Sequence, residues 1–430
     1  MKTTRVLLLI MLVGVMLVGC NATDKPLPYK SEPLQNLSVS IDEIKDYIKK
    51  INNFNVSADI RIDLPKGTET YYDLELAYSD EGDFKRFYDE SVPFIKYVLG
   101  EDKFDENALY FIGTDSEYQI EDFEDGYTIV GPPEKVSDHY ETLVNNPEYC
   151  YAIEYNTEFL VDESSDSYEY FSFIKPIGIS YLRFNKGETA DLLGRYADTG
   201  KRRNLGSWLP ILTESVVGAY LPDSDAEFAL ADGKTSIKSA VEVCENFLKS
   251  LPYPKNPVFT PKVANVNVFP INDDFGFMLN VTKAYNDIPF DYYTPSRTTD
   301  FLQYSPTVWE VYMCNSTDVD VMYSLPNGQI VTNSTEQKDV VTLKSALEII
   351  SKKLSQTVQF DVKKIELLYC ETAHPDSGSE YKDMKQLAKL AWKVTLYNVN
   401  DDRTYVTYID AKDGENFRYY IVIPEPTEEE

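Results

Sequence analysis

The groups able to do chemistry in this chain are five cysteines, two histidines and 71 aspartates and glutamates. Their spacing speaks against most of the chemistry they could do. His139 and His374 lie far apart, and neither has a Cys, His or carboxylate partner at metal-ligand spacing. No CxxC pair is present, and no Ser-His-Asp order suggests itself around either histidine. The acidic clusters Asp122/Glu124/Asp125, Asp162/Glu163/Asp166, Asp273/Asp274 and Asp401/Asp402 lack the alternating oxygens, central Gly and closing Glu of a calcium loop. They read as solvated turns. A glycosidase needs two carboxylates at a fixed separation, and nothing in the sequence selects such a pair. The expectation is a protein with no catalytic residue, no metal and no cofactor.

One cysteine is different. Leu17-Val18-Gly19-Cys20 follows Lys2, Arg5 and an apolar run from Val6 to Val18. That is the layout of a secretory signal peptide. A small residue directly before Cys matches the lipobox of bacterial lipoproteins, in which the thiol is acylated and becomes the new N-terminus. The apolar run is shorter than the ~20 residues a membrane-crossing helix needs. Residues 1–19 are therefore expected to be removed, with Cys20 lipid-anchored to the extracytoplasmic face of the cell membrane. Residues 20–36, with Pro26, Pro28 and Pro33, read as a flexible tether.

Net charge is −30. Losing residues 1–19 removes Lys2 and Arg5 and no acid, so the mature chain stands at −32. Such a surface repels phosphate backbones, which argues against nucleic-acid partners. Hydrophobic residues at 43% exclude a disordered chain, and the abundance of Tyr and Phe suits half-buried sheets.

The positioning elements show an internal repeat. Ser236–Val243 aligns with Thr342–Ile349 at identical or conservative positions. Each segment opens an amphipathic helix, with Ser236 and Thr342 as candidate N-caps. Val263, Val266 and Val268 align with Val362, Ile365 and Leu367 as a strand. Trp309-x-Val311-x-Met313 aligns with Trp392-x-Val394-x-Leu396, and the copies close on Asn327-Gly328 and Asp413-Gly414, dipeptides suited to two-residue turns. Trp208, Trp309 and Trp392 read as core anchors. Cys244 takes the place of Ile350 on the buried stripe, so packing explains it better than reactivity. Cys150, Cys244, Cys314 and Cys370 allow three disulfide pairings, but they are few and widely spaced.

Upstream, Ser40–Ile51 carries a helical stripe, Val56–Ile62 and Tyr72–Leu76 alternate as strands, and Phe84–Val98 is helical with a kink or a start near Pro93. Strands are expected at Tyr149–Tyr155, Phe171–Ile174 and Ile179–Phe184, and a third, diverged copy of the repeat is an open possibility here. The predicted organisation is α+β: an N-terminal domain over 37–225, helix-on-antiparallel-sheet modules over 234–335 and 340–423, and an acidic tail over 424–430.

The final module resembles PepSY-like modules through the helix Leu343–Leu354, the Trp392-x-Val394 strand and the run Tyr405–Glu415, in which Asp410-Ala411 precedes the Gly414 turn. It is also similar to the PepSY-related YycH and YycI extracytoplasmic regulators of Gram-positive bacteria. The resemblance implies a non-enzymatic, regulatory protein that binds a membrane or cell-envelope protein, such as a sensor kinase. Those regulators are held by a transmembrane helix instead of lipid, so the partner does not carry over. Two candidate contact segments stand out: the basic cluster Lys201-Arg202-Arg203, and the loop containing Ile288-Pro289. Three basic residues after Gly200 are more often just an exposed loop, and the second segment could equally be an ordinary turn. A ligand-binding lipoprotein serving a transporter is the alternative reading, and a secreted hydrolase a third.

Overall fold

In the computed structural model the described residues are 29–37, 40–65, 67–78, 84–113, 119–123, 126–130, 134–146, 150–156, 170–174, 181–185, 216–251, 258–271, 274–291, 308–324, 329–376, 385–398 and 400–422. In chain order they form β1 (Ser31–Pro33), α1 (Ile41–Ile48), β2 (Phe54–Asp63), β3 (Tyr71–Tyr78), α2 (Phe84–Leu99), β4 (Leu109–Gly113), β5 (Gln119–Phe123), β6 (Gly126–Val130), β7 (Glu134–Lys135), α3 (Val136–Asn145), β8 (Cys150–Asn156), β9 (Tyr170–Ile174) and β10 (Tyr181–Asn185). There follow β11 (Gly218–Tyr220), β12 (Glu227–Leu230), β13 (Gly233–Ser236), α4 (Ile237–Ser250), β14 (Thr260–Ile271), β15 (Asp274–Tyr285), β16 (Ile288–Pro289), β17 (Val308–Met313) and β18 (Val321–Ser324). The chain closes with β19 (Gln329–Gln337), β20 (Asp339–Val341), α5 (Leu343–Lys353), β21 (Phe360–Ala373), β22 (Lys385–Asn398), β23 (Arg403–Asp410) and β24 (Asn416–Val422). The class is α+β.

The chain divides into two compact units. One contains residues 1–63, 339–366 and 392–430, the other 64–338 and 367–391. The units interleave distant pieces of chain, whereas the sequence reading draws contiguous modules.

In the larger unit the period-two alternation of apolar residues is carried across eight strands in register. One cross-strand row reads Val266, Leu279, Val311, Met322, Phe184, Phe171, Tyr155, Leu109. The next row reads Asn265, Asn280, Glu310, Tyr323, Arg183, Ser172, Glu154, Tyr110. A slip of one residue in any strand would exchange the two rows, so the pattern dictates the register. The sheet has the order β11-β14-β15-β17-β18-β10-β9-β8-β4-β7, with β16 paired to β15. Helices α2, α3 and α4 bury Phe94, Ile95, Leu143, Ile237, Ala240 and Cys244 in one core with Phe111, Ile153, Val266, Leu279 and Val311. α2 runs unbroken from Phe84 to Leu99 with Pro93 inside it.

This sheet joins what the sequence reading separates at 225/234. β10, from the expected N-terminal domain, pairs antiparallel with β18. On both sides of that seam a helix precedes four strands that pair in chain order: α4 with β14-β15-β17-β18, and α2 with β4-β8-β9-β10. The two meanders meet through their last strands. The strands flanking Asn327-Gly328 do not pair with each other as expected: β18 lies in this sheet, while β19 pairs with β3 in another.

In the smaller unit α5 follows β20. Thr342 Oγ1 accepts the Ser345 N–H at the helix start, as Ser236 Oγ accepts the Ser239 N–H at the start of α4. Trp392 is fully buried and its Nε1 donates to Val341 O at 2.7 Å. Its strand is the second after α5, whereas Trp309 lies on β17, the third strand of the meander β14-β15-β17-β18 that follows α4; the two tryptophans are therefore not equivalent in topology. β2 pairs parallel with residues 360–366 of β21, not antiparallel. Between Val56 and Arg61 the register shifts, and Ser57 is buried where alternation would bury Ala58. The β23–β24 hairpin closes through a loop over Ala411–Gly414, longer than two residues, with Gly414 at φ 75°. The expected tether over 20–36 contributes β1, which pairs with β20, and a buried Leu34.

Candidate functional site: a hairpin on a buried ion pair

Strand β15 carries Phe277, Leu279 and Val281 on its core-facing side, and the next residue of that stripe is Lys283. On β21 the stripe Ile365, Leu367, Tyr369 likewise runs on into Glu371. Both charges are taken out of water: the side chains of Lys283 and Glu371 are 1% and 5% exposed, and they form an ion pair. Lys283 Nζ also lies 4.4 Å from the ring centre of Phe290 and 4.9 Å from that of Phe259. Burial lowers the Lys283 pKa from its ordinary value, and the Glu371 charge opposes that fall. Glu371 Oε2 is buried with no hydrogen-bond partner among the described residues.

The pair sits under a hairpin. β15 and β16 pair at Ala284–Pro289 and Tyr285–Ile288, leaving a two-residue turn. Asn286 and Asp287 take φ 51° and 61°, both left-handed, as a type I′ turn requires and as Asn and Asp tolerate better than other non-glycine residues. The turn is tied down on several sides. Asn286 Nδ2 donates to Thr70 O at 3.0 Å. Phe290 N–H donates to Lys283 O at 2.8 Å, and Asp291 N–H to Tyr369 O at 2.7 Å. Tyr369 OH accepts the Tyr72 N–H at 2.9 Å, and burial pushes the phenol pKa up. The rings of Phe290 and Tyr369 meet at a tilt with centres 5.0 Å apart, and Tyr72 meets Tyr285 edge-on at 5.5 Å.

Of the sequence-predicted contact residues, Ile288 is fully buried and Pro289 half-buried. Ile288 therefore anchors the hairpin, because its side chain points down from the turn into the core. The exposed residues are Asn286 and Asp287. Cys20 and Lys201-Arg202-Arg203 lie outside the described residues, as do the 424–430 tail and Trp208. Cys244, Cys314 and Cys370 are buried free thiols, and burial raises the pKa of Cys244 and Cys314. Among the described residues no group of three His, Cys, Asp or Glu could hold a metal ion, and no helix is long and apolar enough to cross a membrane. The sequence reading missed Lys283, Glu371, Phe259 and Tyr369. The available signal was a charged residue on an apolar period-two stripe.

No protein-family model, curated protein or solved structure matches this chain.

Proposed function

We propose that this chain is a non-catalytic, lipid-anchored binding and regulatory protein outside the cytoplasm of a Gram-positive bacterium. It is built from PepSY-like helix-and-meander modules and acts on a membrane or cell-envelope protein. The observation that carries the reading is the Asn286–Asp287 tip. Two exposed polar residues stand in a fixed left-handed turn, on a base held by a buried ion pair and main-chain hydrogen bonds. A rigid projecting turn loses little entropy when a partner closes on it, which is the property a recognition loop needs. The buried thiols and the Lys283–Glu371 pair serve the interior. Anchoring rests on the Gly19-Cys20 motif.

Two measurements test this. Cys20→Ala should shift the protein from the membrane fraction to the medium; retention would refute the anchor. Crosslinking on intact cells should recover one envelope protein, with Asp287→Lys weakening that recovery at unchanged stability. Turnover of a substrate by the purified chain would refute the non-catalytic role.

A further inference from the structure

We infer that the paired C-terminal ends of α1 and α5 form a basic docking face for the anionic phospholipid headgroups of the membrane to which Cys20 is tethered. The inference rests on the lipid-anchor reading and gives the anchored chain a surface that lies on the bilayer.

Charge is divided unevenly in this chain. With residues 1–19 removed, the pieces that make up the smaller unit hold 15 basic and 20 acidic residues, four of those acids in the 424–430 tail. The larger unit holds 24 basic and 51 acidic residues, so an anionic surface repels it strongly.

Within the smaller unit lysines gather at one place. α1 and α5 lie side by side: Tyr47 OH donates to Glu348, and Lys344 Nζ lies 5.6 Å from the ring centre of Tyr47. The strands that follow them, β2 and β21, run parallel, so the two helices end together. Asn53 joins the ends. Its Nδ2 donates to Ser351 O at 3.0 Å and to Ser355 O at 3.2 Å, and its Oδ1 accepts from Ser351 Oγ at 2.6 Å. Lys49, Lys50, Lys352 and Lys353 flank this buried joint, and all four are exposed. A cation at a helix C-terminus complements the dipole; two such ends locked together make one face of four. The acids on the same turns are Asp46 and Glu348. Asp46 pairs with Lys49 at 2.9 Å, but both side chains are well exposed and such a pair is weak. Lys352 and Lys353 have no ion-pair partner among the described residues.

The tether selects the occupant. Lys30 is fixed at the N-terminal end of α5, where its N–H donates to Ser345 Oγ at 3.0 Å and its carbonyl accepts the Thr342 N–H at 2.8 Å. The eleven residues of α5 put its basic end about 16 Å away. Lys30 follows Cys20 by ten residues, a reach of up to about 36 Å, so this end can touch the surface that holds the lipid. At physiological salt, exposed charges more than about 8 Å away are largely screened, and the face meets headgroups on its own charge. Each lysine near an anionic bilayer strengthens binding about five-fold, and a basic patch beside an acyl anchor is the usual second signal for stable attachment.

The acylated chain is reconstituted in vesicles of phosphatidylcholine, and in vesicles of equal parts phosphatidylcholine and phosphatidylglycerol. Lysines are then acetylated with an amine-reactive reagent and read by mass spectrometry. On the mixed vesicles Lys49, Lys50, Lys352 and Lys353 should react several-fold more slowly, with exposed Lys234 of the larger unit unchanged, and high salt should abolish the difference. Lys352→Gln with Lys353→Gln alters exposed side chains and should weaken docking about 25-fold, restoring the reactivity of Lys49 and Lys50. Unchanged protection of those two in the variant would overturn the inference. So would protection by polyphosphate added to the neutral vesicles with none on the mixed ones, which would assign the face to a soluble polyanion. A chain that does not float with phosphatidylcholine vesicles would refute the anchor reading; one that floats but keeps all four lysines reactive on the mixed vesicles would overturn the docking face alone.

Discussion

Glu371→Gln tests the physical argument for the hairpin most directly. The substitution keeps the shape and removes the charge. Lys283, 1% exposed, then loses the opposing Glu371 charge while the faces of Phe259 and Phe290 stay beside it. Breaking one side of a buried pair costs about 3–5 kcal/mol. Two features bound the value here. The rings remain, and a desolvated cation–π contact is worth about 2 kcal/mol, which favours the lower half of that range. Lys283 can also escape by losing its proton. From the ordinary value of 10.5, a neutral lysine at about pH 7 costs roughly 5 kcal/mol, at 1.36 kcal/mol per unit. The penalty therefore cannot exceed about 5 kcal/mol at that pH. The escape route sets its pH dependence. Lys283 has a folded-state pKa below its unfolded value, so the unfolded chain binds more protons between the two. Stability contributed by this group rises with pH in that window and falls again as pH drops through the folded pKa. At about pH 9 the ceiling is nearer 2 kcal/mol. Urea unfolding of wild type and Glu371→Gln, followed by tryptophan fluorescence at both pH values, measures the difference. Lys283→Met with Glu371→Leu should be neutral or stabilising, because two charges no longer need desolvation. A Glu371→Gln penalty below about 1 kcal/mol, or one that does not shrink at higher pH, would refute this account of the pair.

Three further outcomes are expected. Trp392→Ala should lower stability by about 3–5 kcal/mol through the cavity, and Trp392→Phe by about 1–3 kcal/mol because Val341 O loses its buried donor; an unchanged unfolding midpoint in either would contradict the anchor role. Ser236→Ala and Thr342→Ala should each cost about 0.5–2 kcal/mol, since each hydroxyl accepts a first-turn N–H, and unequal losses would show that the two caps sit in different environments. Asp287→Gly should raise stability by about 0.5–1 kcal/mol, because glycine adopts φ 61° without strain; a loss, read in the same urea titration, would mean that the Asp287 side chain holds the turn.

What could be read from the residues was local. Ser40, Ser236 and Thr342 precede their helices as expected, and strands fall at Cys150–Asn156, Tyr170–Ile174 and Tyr181–Asn185, within two residues of their expected limits. Apolar periodicity carries that information because each element buries its own stripe. Pairing partners were not legible. β2 meets β21 across some 300 residues and runs parallel to it, and no turn signal marks such a contact. In the sequence alignment the middle of the first copy carries an extra stretch around Phe275–Tyr293, and its first part is the buried strand β15 between β14 and β17. Treating it as an insertion shifted the alignment by one strand and matched Trp309 to Trp392. Ile288 falls in a candidate contact loop of the sequence reading, but a two-residue turn reverses the chain so tightly that Ile288 returns at once to the ladder beside Tyr285.

The seam between β10 and β18 explains why the larger unit is one body. A meander that ends in a free strand exposes a row of unpaired main-chain groups. Here two meanders end in strands of four and five residues, and each supplies the other's missing partner. The apolar row crosses the seam at Met322–Phe184 and the polar row at Tyr323–Arg183 without a break in alternation. The helices α2 and α4 precede the first strands of the two meanders, and both lie on one face, where their buried residues form a single core. Cutting the chain at the polar segment around Asp223–Gly233 would therefore divide a common interior and reopen both strand edges. The segment's turn-rich composition suggests a domain boundary, yet it carries β12, whose Leu230 belongs to the common core, and so connects two halves of one sheet.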